Sequence, residues 1–164
     1  PLIHGGESTT PYRSGTPTVA LAASLETALD LAVRALPQRT EHVKHLNTAL
    51  RAALSAYPNV RINSPEAALP HILNLSVQNV KGTVFQRELN ARGVCVSVKS
   101  ACSSDGLPSR AVFAVSHDRR NALSSWRISL SHLTTEDEIH AFLEAFDACC
   151  RQLTADGAAP KERI

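Results

Sequence analysis

The stretch Ser97-Val98-Lys99-Ser100-Ala101-Cys102-Ser103-Ser104-Asp105-Gly106 surrounds a thiol with small polar residues. Lys99 stands three residues before Cys102. Exposure and nearby positive charge lower a thiol's pKa and make it reactive, whereas a structural thiol sits among apolar groups. A lone cysteine leaves both readings open, reactive or merely exposed. Cys149 and Cys150 fall on the apolar face of the last helical pattern and read as packing thiols, and Cys95 lies in a core-strand pattern and reads as inert. None of the four has the Cys-x-x-Cys or Cys/His spacing of a zinc site, so no metal is expected. Arg127 lies inside a strand pattern, opposite in phase to Trp126 and Ile128. It faces either solvent or a cleft, and its planar fork suits a carboxylate bound by two parallel hydrogen bonds. Arg13-Ser14-Gly15-Thr16 precedes a helix, where a hydroxyl and free backbone N–H groups suit a phosphate. His42 and His45 share a helix face without a third ligand and read as surface groups, as do Arg119 and Arg120.

These residues need elements to hold them. Residues 1–15 carry no helical or strand period and read as an extended lead. From Pro17, the residues Leu25, Leu29, Ala32, Val33 and Leu36 recur at helical steps. Pro37 is expected to end or break that helix. A second helix follows through Val43, Leu46, Leu50, Leu54 and Tyr57, stopped by Pro58. Strands are expected at Val60–Ile62, His71–Val77, Val94–Val96 and Trp126–Leu130. Helices are expected at 82–92, with Gly93 as a left-handed stop, and around Ser109–Val115. Residues 116–124 read as a polar loop. Thr135 and Glu138 fit a capping box for a last helix striped by Ile139, Phe142, Leu143, Phe146, Cys149, Cys150 and Leu153. The order is α-α-β-β-α-β-α-β-α: an α+β fold with a small, largely antiparallel sheet covered by helices.

Composition bounds the answer. The chain has 164 residues, enough for one domain with its own core. Its 43% hydrophobic content and net charge of +2 exclude disorder and give no nucleic-acid footprint. No apolar run reaches the roughly 18 residues of a membrane span, and no secretory signal opens the sequence. The chain contains no Met and begins Pro1-Leu2-Ile3, so a processed chain or a piece of a longer one is expected.

Taken in order, the motifs resemble the C-terminal part of cysteine desulfurases, pyridoxal-phosphate (PLP) enzymes of the class V aminotransferase superfamily, from His4 to about Leu153. His4-Gly5-Gly6 leading to Arg13-Ser14-Gly15-Thr16 is similar to the family's His-Gly-Gly and Arg-Ser-Gly-Thr segments. His71-Ile72-Leu73-Asn74-Leu75-Ser76 resembles its Ile-Leu-Asn strand. Ser100-Ala101-Cys102-Ser103-Ser104 resembles the cysteine loop of the long-loop group. Pro108-Ser109, Arg127-Ile128-Ser129-Leu130, Thr134-Thr135 and Glu138 follow in order. Departures are Ser8-Thr9 for Gln-Glu, Pro11 for Gly, Lys99 for a Gly and Arg110 for a common His.

The resemblance implies the fold of the C-terminal small domain of fold-type I PLP-dependent transferases over residues 16–153, with a lead at 1–15 and a polar tail at 154–164. It implies removal of sulfur from L-cysteine to give L-alanine, with PLP as electron sink. Cys102 would be the catalytic thiolate, carrying a persulfide to a sulfur-acceptor protein for iron–sulfur cluster assembly or tRNA thiolation. Arg127 would bind the substrate carboxylate, and Thr16 a PLP phosphate of the partner subunit in a homodimer. Lys99 would favour the Cys102 thiolate. The implied location is the cytoplasm, with no membrane and no direct nucleic-acid contact. The family's PLP lysine follows a Ser-x-His pattern, and none of Lys44, Lys81, Lys99 or Lys161 has that context. This piece alone is therefore expected to be inactive and to hold PLP weakly or not at all, and to self-associate through apolar surface left wet. Two alternatives are a selenocysteine or cystine lyase-like member of the superfamily and a PLP-free interaction module.

Overall fold

The structure, a computed structural model, describes residues 3–6, 12–99 and 107–155. It falls into two units, one ending at Gln38 and one beginning at Arg39. Helix α1 runs Val19–Leu54, the three-stranded sheet comprises β1 (Val60–Ile62), β2 (Ile72–Val77) and β3 (Ser125–Ser129), and the other helices are α2 (Gly82–Asn90), α3 (Arg110–Ser116), α4 (Arg119–Ser124) and α5 (Glu136–Ala155).

In the first unit, Ile3 and Arg13 form an isolated parallel bridge. The Ser14 N–H donates to the Ile3 carbonyl at 3.1 Å. Gly5 lies close to this crossing: a Cβ there would come 2.6 Å from Ser14 Oγ, so the serine side chain would have to turn aside. The expected break at Pro37 does not occur: α1 is one helix of 36 residues with Pro37 inside it. Proline removes one hydrogen bond and crowds the carbonyl four residues back. Strong helix formers on both sides and no turn residue nearby carry the helix through. Val33, whose carbonyl loses its donor, is exposed, so water can take that place.

The second unit is built on the sheet, in order β1-β2-β3 and antiparallel throughout. Strand alternation sorts its side chains cleanly. One face carries Leu73, Leu75, Val77, Trp126 and Ile128, all buried. Against it pack Leu46, Leu50 and Leu54 of α1, Phe85 and Leu89 of α2, and Phe142 and Phe146 of α5. Phe85 stacks on Trp126 with ring centroids 5.3 Å apart, and Tyr57 meets Phe146 edge-on at 5.1 Å. Gly82 lies so close to β3 that a Cβ would come within 2.5 Å of the Ser125 carbonyl. The α2 helix stops as expected, with Gly93 at φ +79° and the Val94 N–H returning to the Leu89 carbonyl at 3.0 Å. The Thr135–Glu138 capping box forms in both directions, at 2.9 and 3.2 Å.

Two further expectations are corrected. Residues 94–96 are not a strand; only Ser97 pairs, in a single antiparallel bridge with Arg127. The alternating valines that suggested a strand instead pack Val94, Val96 and Val98 against the core, while the Gln86 side chain takes the Val96 carbonyl at 2.8 Å. Within the polar stretch 116–124 stands α4. His117 ends α3 in the left-handed region, and Asp118 then caps α4 by accepting from the N–H groups of Arg120 and Asn121.

Candidate functional site

The second face of the sheet carries Asn74 on β2, with Arg127 directly opposite on β3. This face opens on a cleft of about 610 Å3, bounded by α3 and by residues 97–99. Arg127 is fixed at its backbone by the bridge to Ser97, at 3.1 and 2.6 Å. Its side chain lines the cleft, resolving the choice between solvent and cleft in favour of the cleft. Its Nε is buried without a hydrogen-bond partner among the described residues. A buried charged donor left unpaired is costly.

A polar network absent from the sequence reading orients the neighbouring amide. The Asn63 amide donates to Asn74 Oδ1 and to Ser76 Oγ, both at 2.8 Å, and Asn63 Oδ1 accepts from Asn121 at 2.9 Å. Ser76 Oγ in turn donates to the Asn121 carbonyl at 3.0 Å. Asn63 and Asn74 both line the cleft. Asn63 follows β1, Asn74 lies on β2 and Asn121 on α4, so the network is visible only after folding. The one local signal is the Asp118 cap that starts α4 and thereby places Asn121.

Arg61 of β1, Lys99 and Arg110 of α3 also line the cleft, and no Asp or Glu among the described residues does. Asp118 pairs with Arg61 from the side at 3.7 Å. With Arg127, four basic side chains line this one cavity, a charge balance that favours anions over cations there.

The other predicted residues separate. Lys99 joins Arg127 at the cleft, and Lys99 and Leu107 both line its wall. Cys102 lies outside the described residues. Thr16 belongs to the first unit and is exposed; beside it, the Arg13 guanidinium folds back onto the carbonyls of Ser14, Gly15 and Thr16. Cys95, expected in a core strand, is exposed instead, because its segment turns the flanking valines inward. Cys149 and Cys150 are buried, as expected. Burial, with the charges of Cys149 and Asp147 adding, pushes the Cys150 thiol up to about 12. His42 and His45 tie α1 to the start of α5, through the Thr134 carbonyl at 2.8 Å and Glu136 at 3.4 Å. Arg119 and Arg120 are exposed, as expected, but on α4 rather than in a loop. No cluster of metal-ligating side chains occurs among the described residues, and no described helix is long and apolar enough to cross a membrane.

Comparison with known proteins places this geometry. The cysteine desulfurase IscS of Clostridium botulinum is 30% identical over 156 residues, covering 92% of this chain and 39% of that protein. The cysteine desulfurase NifS of Azotobacter vinelandii is 30% identical, with 93% and 39% covered. A solved NifS-like protein from Rickettsia africae superposes with a TM-score of 0.72 at 30% identity, over 91% of this chain and 39% of that one. The chain thus spans about two fifths of the length of these relatives. The family model described as aminotransferase class-V matches residues 4–142. With most of its length matched, the chain belongs to the aminotransferase class-V family.

Proposed function

We propose that the chain is the C-terminal part of a PLP-dependent cysteine desulfurase that takes sulfur from L-cysteine, leaving L-alanine. One observation carries this reading: Arg127, with its buried unpaired Nε, faces a cleft whose wall includes Lys99 and Leu107. These are the residues on either side of the stretch that holds Cys102 in the sequence. Arg127 binds the substrate carboxylate through its planar fork, with Asn74 opposite it in the sheet register. Cys102 is the nucleophile that receives the sulfur as a persulfide and delivers it to an acceptor protein, for iron–sulfur cluster assembly or tRNA thiolation. Lys99 supports the Cys102 thiolate by its charge.

PLP, when bound by the whole enzyme, supplies the electron sink. The cleft described above does not fit the cofactor ring: among the described residues it is lined by no aromatic side chain to stack on it and no carboxylate to pair with its nitrogen. Thr16 is the residue here that would reach a phosphate, from a partner subunit in a homodimer. The 164-residue chain by itself is therefore expected neither to hold PLP tightly nor to turn over cysteine. A stoichiometric, borohydride-reducible absorption band on adding PLP would overturn that expectation.

The reading is tested by thiol labelling against pH. Cys102 is expected to label well below pH 8, faster than buried Cys149 and Cys150. Replacing Lys99 by Ala is expected to move the Cys102 profile to higher pH. Equally slow labelling at all of these positions would remove Cys102 from the mechanism.

A further inference from the structure

The outer edge of β3 is closed at one point only. The register decides which backbone groups face it. The Leu130 N–H donates to the His71 carbonyl at 2.8 Å, so the even-numbered residues of this strand bond toward β2. Arg127 and Ser129, the odd ones, turn their N–H and C=O groups to the other side. Arg127 exchanges both of its bonds with Ser97. The next pair in that register is Ser129 with Cys95, and no backbone hydrogen bond joins them among the described residues. Both are exposed. Residues 94–96 and 128–130 all line one groove of about 310 Å3, together with Leu50, Ile139 and Phe142 of the core. Glu138 is the one charged side chain among its described lining residues. The groove shares no lining residue with the cleft that holds Arg127.

We propose that this edge takes a further strand: an extended segment of a partner polypeptide, aliphatic at alternate positions and flanked by basic residues. A sheet edge with outward N–H and C=O groups is a template for strand addition. The partner continues the ladder that Ser97 and Arg127 begin. Its residue opposite Ser129 exchanges both backbone bonds and keeps its own side chain on the exposed face of Ser129. The residues on either side of it then turn to the face of Ile128 and Leu130, where the groove is apolar. Glu138, with no Lys, Arg or His among the described lining residues, favours a basic segment over an acidic one. The β3 strand of a second copy is the poorer occupant, because its own Arg127 is already bonded to Ser97 and it brings one open pair. A free segment brings a whole edge. This inference is independent of the cysteine desulfurase reading.

The test is a titration of the 164-residue chain with the peptide acetyl-Lys-Ile-Ser-Ile-Lys-amide, read by exchange of the Ser129 amide and by thiol labelling of Cys95. Both rates are expected to fall saturably with the same midpoint. N-Methylation of the central serine removes the donor to the Ser129 carbonyl and should weaken binding about tenfold, the size of one hydrogen bond. The analogue with Glu for both Lys should bind about two- to fivefold more weakly, with the gap closing at high salt. Ser129→Pro should weaken the parent peptide by about tenfold. Proline is tolerated on an edge whose N–H bonds no neighbouring strand, and unchanged Trp126 fluorescence confirms the fold. Should that variant unfold, the N-methyl peptide still decides. No saturable protection of Ser129, or equal protection by the N-methyl peptide, would overturn strand addition. Equal or tighter binding of the Glu analogue would overturn the basic character of the partner. Slow Ser129 exchange without peptide that slows further with chain concentration would assign the edge to a second copy and overturn the inference.

Discussion

Helix α1 has two halves of similar sequence and opposite circumstance. From Val19 to Leu36 its leucines are open to solvent, Leu25 at 68% and Leu29 at 60%. From Val43 to Leu54 they are buried, Leu50 and Leu54 completely. Both halves are rich in Ala and Leu, and both repeat at helical steps, so periodicity alone does not distinguish them. The difference is what each half meets. The second half lies on the sheet face that carries Leu73, Leu75 and Trp126; the first belongs to the smaller unit. A helical stripe announces that a face wants burial, and only the folded chain says whether it finds it.

The largest expected effect breaks the packed half. Leu50→Ala should cost about 2–5 kcal/mol in chemical denaturation, because a fully buried leucine leaves a cavity the core closes only in part. Next comes pH. The Cys150 thiol is held near 12 in the folded chain, against 9.0 when unperturbed. Above pH 9 the unfolded chain releases this proton while the folded chain keeps it, so stability falls as pH rises from about 9 toward 12. The loss is about 1 kcal/mol one unit into that window, and it should diminish in Cys150→Ala. The half of α1 before Gln38 has no cysteine, and its helix content should not follow this titration. Thr135→Ala removes one side of the α5 capping box and should cost about 1 kcal/mol, with Glu138→Gln costing less. The smallest effect sharpens the contrast: Leu25→Ala should change stability by no more than about 0.5 kcal/mol. Its visible consequence should be weaker self-association in sedimentation, since the leucine covers nothing within its own unit. A large stability loss at Leu25 would erase the distinction between the halves.

What could be read before folding was what depends on near neighbours. The Thr135–Glu138 cap, the left-handed Gly93, the burial of Cys149 and Cys150 and the alternation of β2 are all written within a few residues. Arg127 was legible as a phase exception between two apolar residues, and the family motifs supplied its role. Where a local signal had two physical causes, the reading failed. Alternating Val94, Val96 and Val98 could mean a paired strand or an extended segment lying on the core, and the Gln86 side chain favours the second. Pro37 could break a helix or stand inside an exposed one. Asp118, which starts α4, was hidden in a run of polar residues. The amide network of Asn63, Asn74 and Asn121 joins positions up to 58 residues apart, so no window along the chain contains it.

Pro37 has a consequence for how the chain breathes. It offers no N–H to the helix ladder, so the hydrogen bonds on its two sides are not part of one unbroken series. Openings that start at the exposed end need not cross it. Amide exchange along α1 should therefore fall in a step rather than a slope. Fast exchange should extend through the wet half up to the proline, and protection should rise abruptly where Val43 and Leu46 enter the core. One missing amide thus turns a single continuous helix into two units of opening.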